Sequence, residues 1–422
     1  MLFRILFTLF LIICYKFIPV FEPTGVNYLL SLLILGSICF ETYEIWNKTP
    51  LNVNNKKKIQ KISHLTLVIC VLMTIVLNMH KEFPASNIRY LRALFILITI
   101  ILGAKIVKEL TITTLSNIIK NTVLILYSTL SFIAIIEICF MFISLSHGGG
   151  EAYSGKIWNM RHWNPINKFG FRDEKPRKAK KNVFFVGDSY TAGWGIKDLN
   201  ERFGEITASE LSKLGKPINE INLGRYGADT RLEFVLFEKF IKTTKIKPDH
   251  IVLQFFVNDM DKFIPIYRNC NKISNSIPIW KKTLIEGSYL VNFISSLYPN
   301  SQINSARECD YVEQLKFVYN NEFLWLKEEK QLDRFKNYCL KNNIKMTLLL
   351  FPFMEDLSLA KEIGIEKRII NYCNKNNIRL FNATNFIHKL SRSERQASIV
   401  DAHASEAVHK IVGENLAKKI KL

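Results

Sequence analysis

The chain has 422 residues, 48% of them hydrophobic and 22% charged, and 57 Lys and Arg against 37 Asp and Glu give a formal charge of +20. That length leaves room for two or three domains, and such a charge invites a nucleic-acid reading. The lysines are scattered and no nucleic-acid motif stands out, so no nucleic-acid partner is expected; a basic chain with long apolar runs fits a position beside anionic lipid.

The apolar runs are concentrated in residues 1–146, where about five transmembrane helices are expected. A span needs about 20 apolar residues, and the candidates are Ile5–Phe21, Tyr28–Trp46, Leu65–Met79, Tyr90–Val107 and Val123–Leu145. The first could be a cleaved signal peptide, but no small-x-small site follows it, so an uncleaved span is expected. The loop after the second span holds Lys48, Lys56, Lys57, Lys58 and Lys61 and should be cytoplasmic. A multi-pass membrane protein with its C-terminal domain outside the cytoplasm follows, against the weaker pull of Lys81, Arg89 and Arg92. His64, His80 and His147 lie near span ends and no buried charged pair is evident, so this region reads as an anchor rather than a pathway.

Residues 147–180 read as a linker and lead-in: Gly148, Gly149 and Gly150, then the NKFGFR stretch Asn167–Arg172, then the basic run Lys175–Lys181. From 181 to 422, strands and helices alternate, which predicts a parallel sheet with helices on both faces. Strands are expected at Val183–Val186, Glu220–Leu223, Ile251–Phe256, Met346–Phe351 and Arg379–Phe381. Helices are expected at Glu201–Leu214, Thr230–Lys242 with Thr230 as cap, Glu322–Lys341, Ile363–Cys373 and Ala404–Lys419. An insertion at about 261–321 carries Tyr267, Trp280, Tyr289 and Tyr298 and reads equally as a cap over a site or as a cover for a sheet edge.

The C-terminal ends of these strands gather chemistry. Gly187-Asp188-Ser189 follows the first strand, the turn at Gly227 the second and Val257-Asn258-Asp259 the third, while Asp401-Ala402-His403 precedes the last helix. A serine hydroxyl needs a base to become a nucleophile. His403 can supply one, and Asp401 can fix its tautomer and stabilise the imidazolium. The N–H groups of Ser189 and Gly227 and the amide of Asn258 could hold an oxyanion, with Asp188 and Asp259 bracing the two turns. His409 reads as a packing or surface histidine, and Trp194 equally as a core residue or a sugar-stacking platform.

In these blocks the chain resembles the SGNH (GDSL-type) hydrolases. GDSYTAGWG is similar to the first block of that family, Gly227 to the second, Val257-Asn258-Asp259 to the third and Asp401-Ala402-His403 to the last, over about Asn167 to the C-terminus. The resemblance implies a flavodoxin-like three-layer α/β domain behind an all-α transmembrane region. It also implies a Ser189–His403–Asp401 triad with Ser189, Gly227 and Asn258 as oxyanion donors, and no metal or cofactor. Two departures stand out: Phe256 sits where the third block commonly has glycine, and only Ala402 separates Asp401 from His403, a spacing some members share. By analogy with membrane-tethered relatives the substrate is an acyl ester, acetyl among the candidates, on a glycan or lipid-linked sugar, cleaved or transferred. The alternatives are a lipase or thioesterase at the membrane surface and a non-catalytic binding protein with the same fold, for which Phe256 is the best argument.

The eight cysteines show no CxxC pair. Cys14, Cys39, Cys70 and Cys139 read as packing residues; Cys270 and Cys309 could pair in an oxidising compartment, and Cys339 and Cys373 should stay as buried thiols.

Overall fold

The computed structural model describes residues 88–111, 116–148, 152–174, 181–264, 278–297 and 311–420. The first three candidate spans, the Lys56–Lys61 cluster, Tyr267, Tyr298, Cys270 and Cys309 lie outside them.

In chain order the helices are α1 (Ile88–Thr111), α2 (Asn117–Phe140), α3 (Tyr153–His162), α4 (Phe203–Lys213), α5 (Thr230–Thr244), α6 (Ile279–Gly287), α7 (Tyr289–Leu297), α8 (Tyr311–Asn320), α9 (Glu322–Asn342), α10 (Ile365–Lys375) and α11 (Glu406–Lys419). The strands are β1 (Asn182–Gly187), β2 (Asn219–Gly224), β3 (His250–Phe255), β4 (Lys345–Leu350), β5 (Arg379–Asn382), β6 (Gln396–Ser398) and β7 (Asp401–Ala404). Two compact units emerge: one holds the described residues up to Leu145 with Glu151–Ile157 and Pro278–Leu297, and the other holds Ser146–Gly150, Trp158–Ile277 and Tyr298–Leu422.

In the larger unit, five parallel strands run in the order β2-β1-β3-β4-β5. This is a doubly wound order. β1 lies between β2 and β3, and its side chains alternate between two cores. Phe184 and Val186 join Phe234, Phe237 and Phe240 of α5, Leu332 and Phe335 of α9 and Ile369 and Tyr372 of α10. Val183 and Phe185 join Phe203 of α4 and Val408, Val412 and Leu416 of α11. Helices therefore cover both faces, which is why β1, β3 and β4 read as apolar runs. Asp229, one residue before the expected Thr230, caps α5 by accepting the Leu232 N–H at 2.8 Å. The last helix starts at Glu406 because 401–404 forms an antiparallel ribbon with 396–398, a pairing the alternation of longer elements does not announce. Cys339 and Cys373 are buried free thiols on α9 and α10, pushed up to about 12 by burial.

The smaller unit is built on α1 and α2, both long and apolar enough to cross a membrane. They correspond to the fourth and fifth candidate spans; α2 begins at Asn117, six residues ahead of the expected Val123, and ends at Phe140. The two helices are antiparallel: Arg92 meets Glu137 at 3.2 Å near one end, and Tyr127 donates to the Ile100 carbonyl and packs against Gly103 further along. This ion pair corrects the expectation that the membrane region lacks a buried charged pair; the two side chains are only 7% and 9% exposed. Its purpose is local. Glu137 accepts from Ser288 Oγ at 2.7 Å and from the Tyr289 and Leu290 N–H groups at 2.8 and 3.0 Å, while Arg92 donates to the Gly287 carbonyl at 2.7 Å. The anion thus faces the first turn of α7 and the cation the last carbonyls of α6, as helix dipoles favour. Phe293 of α7 packs on Phe140 of α2 with centroids 5.1 Å apart. Tyr153 clasps the same pair, donating its N–H to Asn292 Oδ1 at 2.8 Å and its hydroxyl to the Glu286 carbonyl at 2.6 Å. Residues 278–297, in the middle of the segment read as an insertion, are thus part of the smaller unit.

Candidate active site

The site is built at the C-terminal end of β1. Gly187 is required there by space: a Cβ would lie 2.2 Å from Thr191 Oγ1 and 2.3 Å from Gln254 Oε1. That crowding is useful, because Gln254 Oε1 accepts both the Asp188 N–H and the Thr191 hydroxyl at 3.0 Å and fixes the turn. Asp188 caps the short helix Ser189–Ala192, accepting the Tyr190 N–H at 2.8 Å and one N–H of the Asn258 amide at 3.0 Å. Burial raises the Asp188 pKa, against the hydrogen bonds from Tyr190 and Asn258 and the His403 charge.

Ser189 is 4% exposed. Its Oγ lies 2.9 Å from His403 Nε2, and His403 Nδ1 lies 2.6 Å from Asp401 Oδ1, which also accepts the His403 N–H at 3.1 Å. The three residues of the expected triad therefore form one relay across 214 residues of sequence. Burial works to lower the His403 pKa, but the charge and hydrogen bond of Asp401 outweigh it and the pKa is raised above 6.5. Burial would raise Asp401, yet His403 and hydrogen bonds from His403 and Ser146 hold it below its ordinary value.

The other expected residues fall into different places. Gly227 sits on the exposed turn after β2 with a φ of +69° and open space where a Cβ would go; the left-handed region favours glycine. That turn is drawn to the serine loop by Arg225 N–H, which donates to the Gly187 carbonyl at 3.0 Å, and by Asn222 Nδ2, which donates to the Thr191 carbonyl at 2.9 Å. Asp259 ties its own turn to the start of α5: it accepts the Thr230 N–H and hydroxyl at 2.7 and 2.8 Å and the Phe256 N–H at 2.9 Å. The Phe256 ring packs between Tyr190 and Phe353, at 4.6 and 5.4 Å. His409 is buried on α11 and accepts the Phe203 N–H on Nδ1 at 3.1 Å.

The structure adds residues that sequence reasoning did not assign. Arg172, the last residue of NKFGFR, is 1% exposed and donates to the carbonyls of His162, Ala192, Gly193, Ile196 and Lys197 at 2.6 to 3.3 Å. Its guanidinium underlies the loop that follows Ser189, and burial, with Arg202 nearby, lowers its pKa to about 10. Arg202 in turn sits among Asp173, Glu205 and Glu220, whose carboxylate oxygens lie within 4.8 Å of one another. Ser146 and Gly148 hold the β6–β7 ribbon through Ser398 Oγ to Ser146 O at 2.8 Å and Gly148 N to Val400 O at 3.4 Å. Trp194 is not an open platform: it is 6% exposed, donates Nε1 to the His147 carbonyl and is covered by Trp163 and Tyr226 at 4.8 and 4.6 Å. Tyr226, 45% exposed, presents the accessible ring instead.

Sheet order, serine turn and strand-end blocks now stand together. The larger unit has the flavodoxin-like three-layer α/β fold that the resemblance to the SGNH hydrolases implies. No family model and no curated protein matches the chain. Solved structures similar to it include a lipolytic protein of the G-D-S-L family from Desulfitobacterium hafniense, 12% identical over 57% of this chain and 100% of that one with a TM-score of 0.35. An acetylxylan esterase from Geobacillus stearothermophilus is 12% identical over 58% of this chain and 95% of that one, with a TM-score of 0.35. TesA is 12% identical over 57% of this chain and 98% of that one, with a TM-score of 0.37.

Proposed function

We propose that this protein is a membrane-tethered serine esterase or O-acyltransferase, with Ser189 as nucleophile, His403 as general base and Asp401 as the group that orients it. The observation that carries this reading is the hydrogen-bonded relay, Oγ to Nε2 at 2.9 Å and Nδ1 to the carboxylate at 2.6 Å. With Nδ1–H held by Asp401, Nε2 is left as the acceptor for the serine proton. As Oγ attacks the acyl carbon, the proton passes to Nε2 and the carbonyl oxygen becomes an oxyanion. The Ser189 and Gly227 N–H groups and the second N–H of the Asn258 amide, whose first is committed to Asp188, receive it. Return of the proton to the leaving oxygen releases the alcohol and leaves an acyl-serine. Water resolves it in a hydrolase and a sugar hydroxyl in a transferase.

A glycan or lipid-linked sugar as the alcohol part is supported by Tyr226, an accessible ring backed by Trp194, which itself lies 6.1 Å from the His403 ring. Exposed aromatic faces suit sugar rings, being apolar on the face and polar at the edge. A fluorophosphonate probe applied to intact cells tests the reading. Labelling that maps to Ser189 and disappears in Ser189→Ala is the expected result; labelling elsewhere, or none in folded wild type, would remove it. Glycans with free hydroxyls, offered as acceptors to the acyl-enzyme formed from an acyl-ester donor, then separate the two outcomes: a new ester on the glycan marks transfer, and release of the free acid marks hydrolysis.

A further inference from the structure

We infer that residues 278–297 form a second membrane-contacting element, with α6 lying in the headgroup region of the bilayer and its Ile279–Trp280–Leu284 face turned into the acyl boundary. α6 and α7 are nine residues each, too short to span. They are nonetheless apolar on the outside: Ile279 is 84% exposed, Trp280 67% and Leu284 52%, and on α7 Ile294 and Leu297 are 47% and 40% exposed. At 100° per residue, Ile279, Trp280, Thr283 and Leu284 share one side of α6, and Lys281, Lys282 and Glu286 take the other. α7 has no charged residue at all.

Bilayer lipid is the partner this surface fits, for three reasons. The pair docks where α1 begins and α2 ends: Arg92 and Glu137, which bind Gly287, Ser288, Tyr289 and Leu290, each lie within about a turn of a helix end. A 24-residue helix is about 36 Å long, so its ends reach the headgroups of a hydrocarbon core about 30 Å thick. The outside of α2 is apolar as well, with Leu124, Ile125, Leu126, Leu130 and Ile133 48% to 65% exposed. Trp280 next to Lys281 and Lys282 is the combination found at an anionic interface, an amphipathic ring flanked by cations.

The inference rests on the membrane reading of α1 and α2, and the test separates the two. The full chain is reconstituted into vesicles of phosphatidylethanolamine and phosphatidylglycerol doped with a phosphatidylcholine carrying a diazirine near the glycerol end of one acyl chain, irradiated, digested and mapped by mass spectrometry. Adducts on Ile279, Trp280 or Leu284 as well as on α1 and α2 are expected. Adducts on α1 and α2 alone would overturn the inference and keep the membrane reading. Adducts on neither would remove both, and cross-links from 279–284 to a second copy of the chain would assign the face to a protein contact. In Trp280→Asp/Leu284→Asp, which leaves the Glu137 hydrogen bonds in place, adducts at Ile279 should be lost while those on α2 persist; undiminished yield at Ile279 would overturn the inference.

Discussion

His403 is pulled in opposite directions, downward by burial and upward by Asp401, and the carboxylate prevails. The base is therefore protonated at acid pH, and kcat/KM for ester cleavage should rise with pH through a value above 6.5. In Asp401→Asn the upward influence vanishes while burial stays, so the inflection should move down; a profile that does not move would mean that another group titrates. The amplitude should fall about 10⁴-fold in Asp401→Asn, and about 10⁶-fold in Ser189→Ala or His403→Ala, because serine and base act as a unit. Arg172 gives a second residue-scale prediction. Lysine would keep the charge of Arg172 but cannot reach five carbonyls from a planar fork. Arg172→Lys should cost on the order of 2–3 kcal/mol in unfolding free energy and slow the reaction, read by thermal melts and kcat; a wild-type melt would show that the carbonyls are satisfied without the guanidinium.

At the scale of elements, α4 and α11 are joined by His409, whose unprotonated Nδ1 accepts the Phe203 N–H. Burial, with Arg202 and Arg172 close by, pushes its pKa down to about 3. The unfolded chain takes up this proton near pH 6.5 and the folded one does not, so the contribution is intact above about 6.5 and is lost as pH falls toward 3. His409→Gln should flatten the fall of melting temperature between about pH 6 and pH 4 relative to wild type; parallel curves would refute it. Of the five sheet strands, β1, β3 and β4 were legible because they are buried on both faces and so written as apolar runs; β2 and β5 were legible from their place in the alternation. Ser189 was legible because it stands at the end of such a run, and Asp401 and His403 because they stand just before the last helix. Arg172, Gln254 and Ser146 were not, since they act on backbone and side-chain groups from distant turns, and no local pattern marks that pairing. The destination of α6 and α7 was hidden for a related reason: the charges that receive them, Arg92 and Glu137, are 195 and 152 residues away from Gly287 and Tyr289.

For the whole molecule, we propose that the α/β unit lies outside the cytoplasm, on the strength of an odd number of candidate spans and the Lys56–Lys61 cluster in the sequence. A periplasm-only reporter fused after Leu422 should be active; activity of a cytoplasm-only reporter there would reverse the orientation. The clasp of Glu137 onto Ser288, Tyr289 and Leu290 also sets an order of events during synthesis. With 152 residues between Glu137 and Tyr289, a ribosome moving at about 5–20 residues per second leaves the α1–α2 hairpin without its partners for about 8–30 s. Throughout that interval the nascent hairpin carries a carboxylate with Arg92 beside it but without its donors from Ser288, Tyr289 and Leu290, and quality-control proteases can act on it. Replacing 278–297 by a Gly-Ser linker makes that interval permanent and should shorten the lifetime of the chain in a pulse–chase. Exchanging the pair for apolar residues, Arg92→Met with Glu137→Leu, should restore the lifetime, because a buried pair can give way to well-packed side chains of similar size; a chain cleared just as fast after that exchange would place the weak point elsewhere.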